Sequence, residues 1–167
     1  MLEKIPNYRR AENEALGLLK KHGVEAPPVS LETLAHGEGL SVWRAEFEDE
    51  TVSGVVDLEK KKILVNKFDP QGRQRFTIAH ELGHWILHQS ELENNPDLVI
   101  FYRKTLEEKE TDPLEQEANC FAANLLVPAF MVDGLLSSSI SNKIIADIFK
   151  VSESVILFRR KLLHAIR

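Results

Sequence analysis

Apolar residues recur along this chain with two periods, and the switches between them mark its elements. Over residues 8–22, Ala11, Ala15 and Leu16, then Leu18 and Leu19, gather on one side of a helical wheel, and Gly23 supplies a stop. Pro27-Pro28-Val29-Ser30 is a break. Ser30 stands where it caps a short helix through Ala35, which Gly37 and Gly39 end. The period then shortens. Three strand-like runs follow at 40–47, 52–58 and 62–66, joined by Glu48-Asp49-Glu50 and Glu59-Lys60-Lys61. Read as turns, these links predict a three-stranded antiparallel meander packed beside the next helix.

That helix opens at Asp69-Pro70-Gln71, where Asp69 suits an N-cap and Pro70 the first turn. Phe76, Ala79, Leu82, Ile86 and Leu87 repeat at helical spacing and sink it into a core. A second buried helix reads over residues 114–128. Between them, residues 89–112 are polar and acidic, apart from Leu98-Val99-Ile100-Phe101-Tyr102. They read either as a lid over a substrate or as a plain surface loop. Residues 140–163 read as helix, turn at Val151-Ser152, helix. Ala146, Val151 and Val155 fall where a helix-turn-helix core wants them, but Lys150 holds the turn position usual for glycine, so a simple helical hairpin completing the core is the competing reading. The sum is an α+β fold: a small three-stranded antiparallel sheet, a central helix and a mostly helical C-terminal half. Residues 1–137 form the core unit, and residues 138–167 a hairpin packed on it.

Composition narrows the class. A chain of 167 residues, 43% hydrophobic and 28% charged, fits one globular domain with a real core. No apolar run approaches the roughly 18 residues of a membrane span. Met1-Leu2-Glu3-Lys4-Ile5-Pro6 lacks a signal-peptide core, and the expected location is the cytoplasm. The single cysteine, Cys120, agrees with a reducing compartment and reads as a small core residue. A net charge of −5 argues against general nucleic-acid binding, although residues 141–167 carry Lys143, Lys150, Arg159, Arg160, Lys161 and Arg167 against Asp147 and Glu153.

The chemistry lies at His80-Glu81-Leu82-Gly83-His84. On a helix, positions i and i+4 share a face, so His80 and His84 can direct their imidazoles at one metal ion, while Glu81, one residue round, is placed for a water molecule. Catalytic zinc takes three protein ligands and keeps one position open. The second helix offers the third. Glu115, Ala118, Asn119 and Ala122 share a face, and the alanines permit close approach to the His80 helix. Glu115 is therefore the expected ligand, with Asn119 supporting a ligand histidine. Glu117 lies about 200° from Glu115 around the helix; it is the fallback ligand, and otherwise a solvent-facing charge. His88 fits a residue favoured by the helix C-terminus or a hydrogen-bond partner near the site. Tyr102 is a candidate donor to a reacting oxyanion. His22, His36 and His164 read as ordinary histidines.

The blocks R-F-T-x-A-H-E-L-G-H-x-x-L-H and E-x-x-A-N-x-F-A-x-x-L-L-x-P, with their spacer over residues 73–128, resemble the ImmA/IrrE family of small zinc endopeptidases. The resemblance implies a zincin-like fold and a gluzincin-like site, with Zn²⁺ held by His80, His84 and a glutamate four residues before an Asn or Asp, which Glu115 and Asn119 fit. It also implies Glu81 as general base and a protein substrate, a helix-turn-helix repressor of a mobile element or stress response. Two other readings compete: a DNA-binding regulator with a non-catalytic metal site, and a ligand-sensing protein. A structural zinc site fills its positions with protein ligands, often cysteines. Here a glutamate sits beside the first histidine and only one cysteine exists, which favours catalysis. No direct DNA binding and no membrane association are expected.

Overall fold

The computed structural model of the chain describes residues 5–94 and 112–165, which form seven helices and three strands. Helix α1, Tyr8–Lys21, begins where the Asn7 side chain accepts a hydrogen bond from the Arg10 amide, and it buries Ala11, Ala15, Leu18 and Leu19. Gly23, at φ +63°, turns the chain out of the helix through a backbone conformation that side-chain-bearing residues avoid. Helix α2, Leu31–Gly37, buries Leu31, Leu34 and Ala35.

Strands β1 (Ser41–Ala45), β2 (Gly54–Asp57) and β3 (Lys62–Asn66) form the sheet, in the order β1-β3-β2. β2 and β3 are an antiparallel hairpin, with Val56 opposite Ile63. β1 runs parallel to β3, with Val42 opposite Ile63 and Arg44 opposite Val65. The sheet is therefore mixed, not the antiparallel meander that the linear order of strands predicts. The reason is burial. β3 carries Ile63 and Val65, both fully buried, and takes the central place. The chain from Ala45 passes over to the far edge before returning as β2, so β3 slides between its two predecessors. An alternating pattern sets which face of a strand is buried, and says nothing about its neighbours.

Helix α3, Gln71–Asn94, has 24 residues and a length of about 36 Å, running well beyond the ligand motif. Residues 89–94, expected in a loop, form its last turns. Helix α4, Pro113–Leu126, starts with Asp112 accepting from the Leu114 amide and Pro113 in the first turn. α4 is buried between two neighbours. α3 lies on one side, where Gly83 is so close to Phe121 that a Cβ at Gly83 would stand 3.0 Å from the ring edge. α1 lies on the other, where the Tyr8 hydroxyl donates to Gln116 Oε1 and the Cys120 thiol to the Tyr8 carbonyl.

Helices α5 (Ala129–Leu136), α6 (Asn142–Phe149) and α7 (Glu153–Ala165) follow. Lys150 makes the turn between α6 and α7 in the left-handed conformation, φ +56°, which explains why glycine is usual there. Arg159 is fully buried and donates from Nε to the Val127 carbonyl, so its charge lies inside the protein. Arg160 donates to Asn142 Oδ1 and to the Leu136 carbonyl. One apolar cluster runs from Ala11 to Leu162 through every helix and the sheet. Among the described residues, no single helix is long and apolar enough to cross a membrane.

Candidate metal centre

The spacing of α3 stacks His80, His84 and His88 on one stripe, and α4 presents Glu115 to the first two. His80 Nε2 and His84 Nε2 are 3.0 Å apart. His84 Nε2 lies 3.1 Å from Glu115 Oε1, and His80 Nε2 3.3 Å from Glu115 Oε2. Two imidazole nitrogens and one carboxylate thus converge, all within 4.8 Å of one another, as a group able to hold a metal ion. Zinc bonds of roughly 2.0–2.1 Å at near-tetrahedral angles separate ligand atoms by about 3.3 Å, so the residues present fit such an ion. Gly83 brings no side chain to the α3–α4 contact, where a Cβ would meet Phe121, so the helices that carry His84 and Glu115 lie close together.

The electrostatics have the same centre. Burial works to raise the Glu115 carboxyl, but the charge and hydrogen bond of His80, then those of His84, outweigh it and hold the group far below the usual carboxylate range. Burial pushes the His84 imidazole down to about 4. For His80, burial lowers the value, while the charge and hydrogen bond of Glu115, the charge of Glu81 and the bond to Asn119 raise it more, for a net upward shift.

The polar groups around the trio hold its members. His80 Nδ1 is 2.9 Å from Asn119 Oδ1, an acceptor, so this ring carries its hydrogen on Nδ1 and turns the Nε2 lone pair inward. Asn119 is thus brought to the site as its position one turn after Glu115 suggests. Glu81 is nearly buried, and its Oε2 accepts from the Val56 amide of β2 at 2.9 Å. This strand contact has no signature in the motif, because it joins residues 25 positions apart. Tyr102 lies outside the described residues.

Glu117 differs from the expectation of a solvent-facing charge. It is 4% exposed, and its Oε2 lies 2.9 Å from His88 Nε2. The helical wheel places it correctly, opposite Glu115, but α1 covers that face. Burial opposes its ionisation, and the Asn7 amide, His88 and Arg10 lower its pKa overall. His88 is fully buried beside His84, Nδ1 to Nδ1 at 3.0 Å. The i, i+4 step from His84 is the sequence signal for this contact. Cys120 is buried, its thiol pushed up to about 12 mainly by burial, which removes it as a nucleophile. His22 pairs with Glu38 at 2.8 Å, His36 is exposed, and the His164 side chain lies outside the described residues. A cavity of about 590 Å³ opens next to the centre between α3 and α7. Phe76 and Asn119 line it and also neighbour His80; Val155 and Phe158 form its apolar side.

The chain is similar to known proteins. Over 125 residues the chain is 33% identical to the radiation response metalloprotease IrrE of Deinococcus deserti, a stretch that spans 72% of this chain and 41% of that protein. A Mycobacterium tuberculosis transcriptional regulator shares the fold, with a TM-score of 0.66 at 19% identity over 90% of this chain and 55% of the other. Residues 35–161, which include His80, His84 and Glu115, match the IrrE N-terminal-like domain. The chain belongs to the family of IrrE N-terminal-like domains.

Proposed function

We propose that this protein is a zinc-dependent endopeptidase in which His80, His84 and Glu115 hold the ion and Glu81 moves the proton. The observation that carries the reading is the convergence of the trio beside Glu81, a buried glutamate on the helix of the two histidines. When bound, zinc supplies a Lewis acid that lowers the pKa of water towards about 7. Each histidine commits its Nδ1 to a neighbour and offers Nε2 to the ion. The Val56 amide orients the Glu81 carboxylate. Glu81 takes a proton from the attacking water and passes it to the nitrogen of the departing amine. The cavity beside His80 suits an apolar substrate side chain next to the scissile bond.

The substrate we favour is a helix-turn-helix repressor of a mobile element or stress response, cleaved in the cytoplasm. Residues 138–167 then serve as a hairpin that closes the core and walls the cavity, with no direct part in DNA binding. The test is to incubate the protein with zinc and a candidate repressor, and to map the fragments by mass. A positioned general base contributes about 10²–10⁴-fold, so Glu81→Gln loses turnover by that factor while still binding zinc. A Glu81→Gln variant that cleaves at the normal rate rejects the mechanism.

A further inference from the structure

Behind His84, on the side away from Glu115, runs a row of buried polar groups that the hydrolytic mechanism leaves unused. His84 Nδ1 lies 3.0 Å from His88 Nδ1. His88 Nε2 lies 2.9 Å from Glu117 Oε2. Glu117 Oε1 accepts the Asn7 amide hydrogen at 2.7 Å. His84, His88 and Glu117 are 3%, 0% and 4% exposed, so water does not compete along the row.

We infer that His88 and Glu117 form a positioning relay for His84, and that the docking of α1 completes it. The inference rests on the reading of His84 as a ligand through Nε2. Once the Nε2 lone pair is turned inward, the hydrogens are fixed. His84 carries its hydrogen on Nδ1 and donates it to His88 Nδ1. His88 must then accept at Nδ1, so it carries its own hydrogen on Nε2 and donates that to Glu117. The carboxylate ends the row as acceptor only, and takes the Asn7 N–H at its second oxygen. Both imidazole N–H groups point away from the centre, the Asn7 N–H meets them at the carboxylate, and every contact has one tautomer. The arrangement stops the His84 ring from turning and draws its Nδ1 hydrogen towards a negative charge, which strengthens Nε2 as a ligand.

The two ligand histidines are therefore backed differently. His80 rests on the neutral amide of Asn119, whereas His84 rests on a carboxylate through a second imidazole. The carboxylate in turn is held by the start of α1, where unpaired backbone amides and the helix dipole favour an anion. Arg10, one turn into α1, donates to the Leu87 carbonyl and fastens the same end of α1 to α3. α1, Tyr8–Lys21, lies outside the family match at residues 35–161. A segment beyond the matched region thus reaches the metal centre through two side chains.

The test measures zinc affinity by competition with a chromophoric chelator, and the visible spectrum of the cobalt(II)-substituted protein. The variants are Glu117→Gln, His88→Leu and His88→Gln. Loss of a hydrogen-bond partner behind a ligand typically lowers metal affinity about 10–100-fold. Glu117→Gln, which keeps the shape and removes the charge, and His88→Leu should both fall in that range and shift the cobalt bands. His88→Gln, whose amide can accept at one end and donate at the other, should recover part of the affinity. Asn7→Pro deletes the amide hydrogen and should weaken zinc more than Asn7→Ala, which keeps it. Wild-type zinc affinity and cobalt spectrum in folded Glu117→Gln overturn the relay, whether or not His88→Leu folds. A wild-type protein that binds neither ion rejects the metal centre itself, and the relay with it.

Discussion

Gly83→Ala is expected to separate two effects that usually reinforce each other. In an unstrained helix interior, alanine stabilises by about 0.8–1.0 kcal/mol relative to glycine. Gly83 lies inside α3, but an added Cβ meets Phe121 Cδ1 at 3.0 Å and the Phe121 Cβ and Cγ at 3.3 Å. Carbon atoms prefer about 3.5–4.0 Å, so α3 and α4 must part by roughly half an ångström or Phe121 must leave its rotamer. Such overpacking typically costs about 1–3 kcal/mol. The net is a loss of about 0–2 kcal/mol where propensity alone predicts a gain. Gly17 is the control: it lies in α1, and a Cβ added there would meet nothing within 4 Å. Gly17→Ala should gain the full propensity term. For a domain of this size about 1 kcal/mol moves Tm by roughly 2–4 °C, so the two variants should straddle the wild type or at least differ by that much. The separation of α3 from α4 also opens the distance from His84 to Glu115, so Gly83→Ala should bind zinc more weakly and Gly17→Ala should not. Thermal unfolding of the metal-free protein and a zinc titration decide it. A Gly83→Ala variant that gains as much as Gly17→Ala, with wild-type zinc affinity, refutes the close-approach argument.

Glu115 is the third ligand in the proposed site, so Glu115→Ala should lower zinc affinity beyond the roughly 10–100-fold typical of supporting partners; metal analysis showing full occupancy would move the third ligand elsewhere. Lys150→Gly should stabilise the fold by about 1 kcal/mol, because glycine takes the left-handed turn without the Cβ clash that lysine bears, and unfolding of the two proteins side by side measures it. Cys120 gives a pH dependence whose sign follows from its thiol being raised from 9.0 to about 12 in the folded chain. Above pH 9 the native state keeps a proton that the unfolded state releases, so wild-type stability falls relative to Cys120→Ala as pH rises, by up to about 1.4 kcal/mol per pH unit. Urea unfolding of both proteins at pH 9 and pH 10 tests this, and parallel curves would show that the thiol titrates normally.

The centre is more legible in the sequence than the sheet. His80, His84, Glu115 and Asn119 are set by helical spacing within two segments, and once α3 and α4 pack on their small residues their mutual geometry follows. The strand order depends instead on which run is buried deepest, a property of the whole core, and alternation of apolar residues does not encode it. Glu117 escapes the sequence for a related reason. Its angular position on α4 can be read from the helical period, but the covering of that face by α1 is a contact between residues 110 positions apart. The hydrogen bond from Val56 to Glu81 likewise depends on a strand edge meeting a helix. The charge of Arg159 is buried in the fold, where its Nε meets the Val127 carbonyl, a contact between residues 32 positions apart.

The bond from Val56 to Glu81 also bears on which replacement of Glu81 the fold tolerates. β2 is an edge strand, and Val56 turns its amide away from β3 into the buried contact with α3, where the Glu81 carboxylate accepts it. Removing the side chain, as in Glu81→Ala, leaves that buried donor without this acceptor, at a typical cost of about 1–3 kcal/mol. Glutamine at the same position keeps an oxygen for the Val56 amide. It is the better replacement wherever the carboxylate must be removed and the packing of β2 on α3 kept.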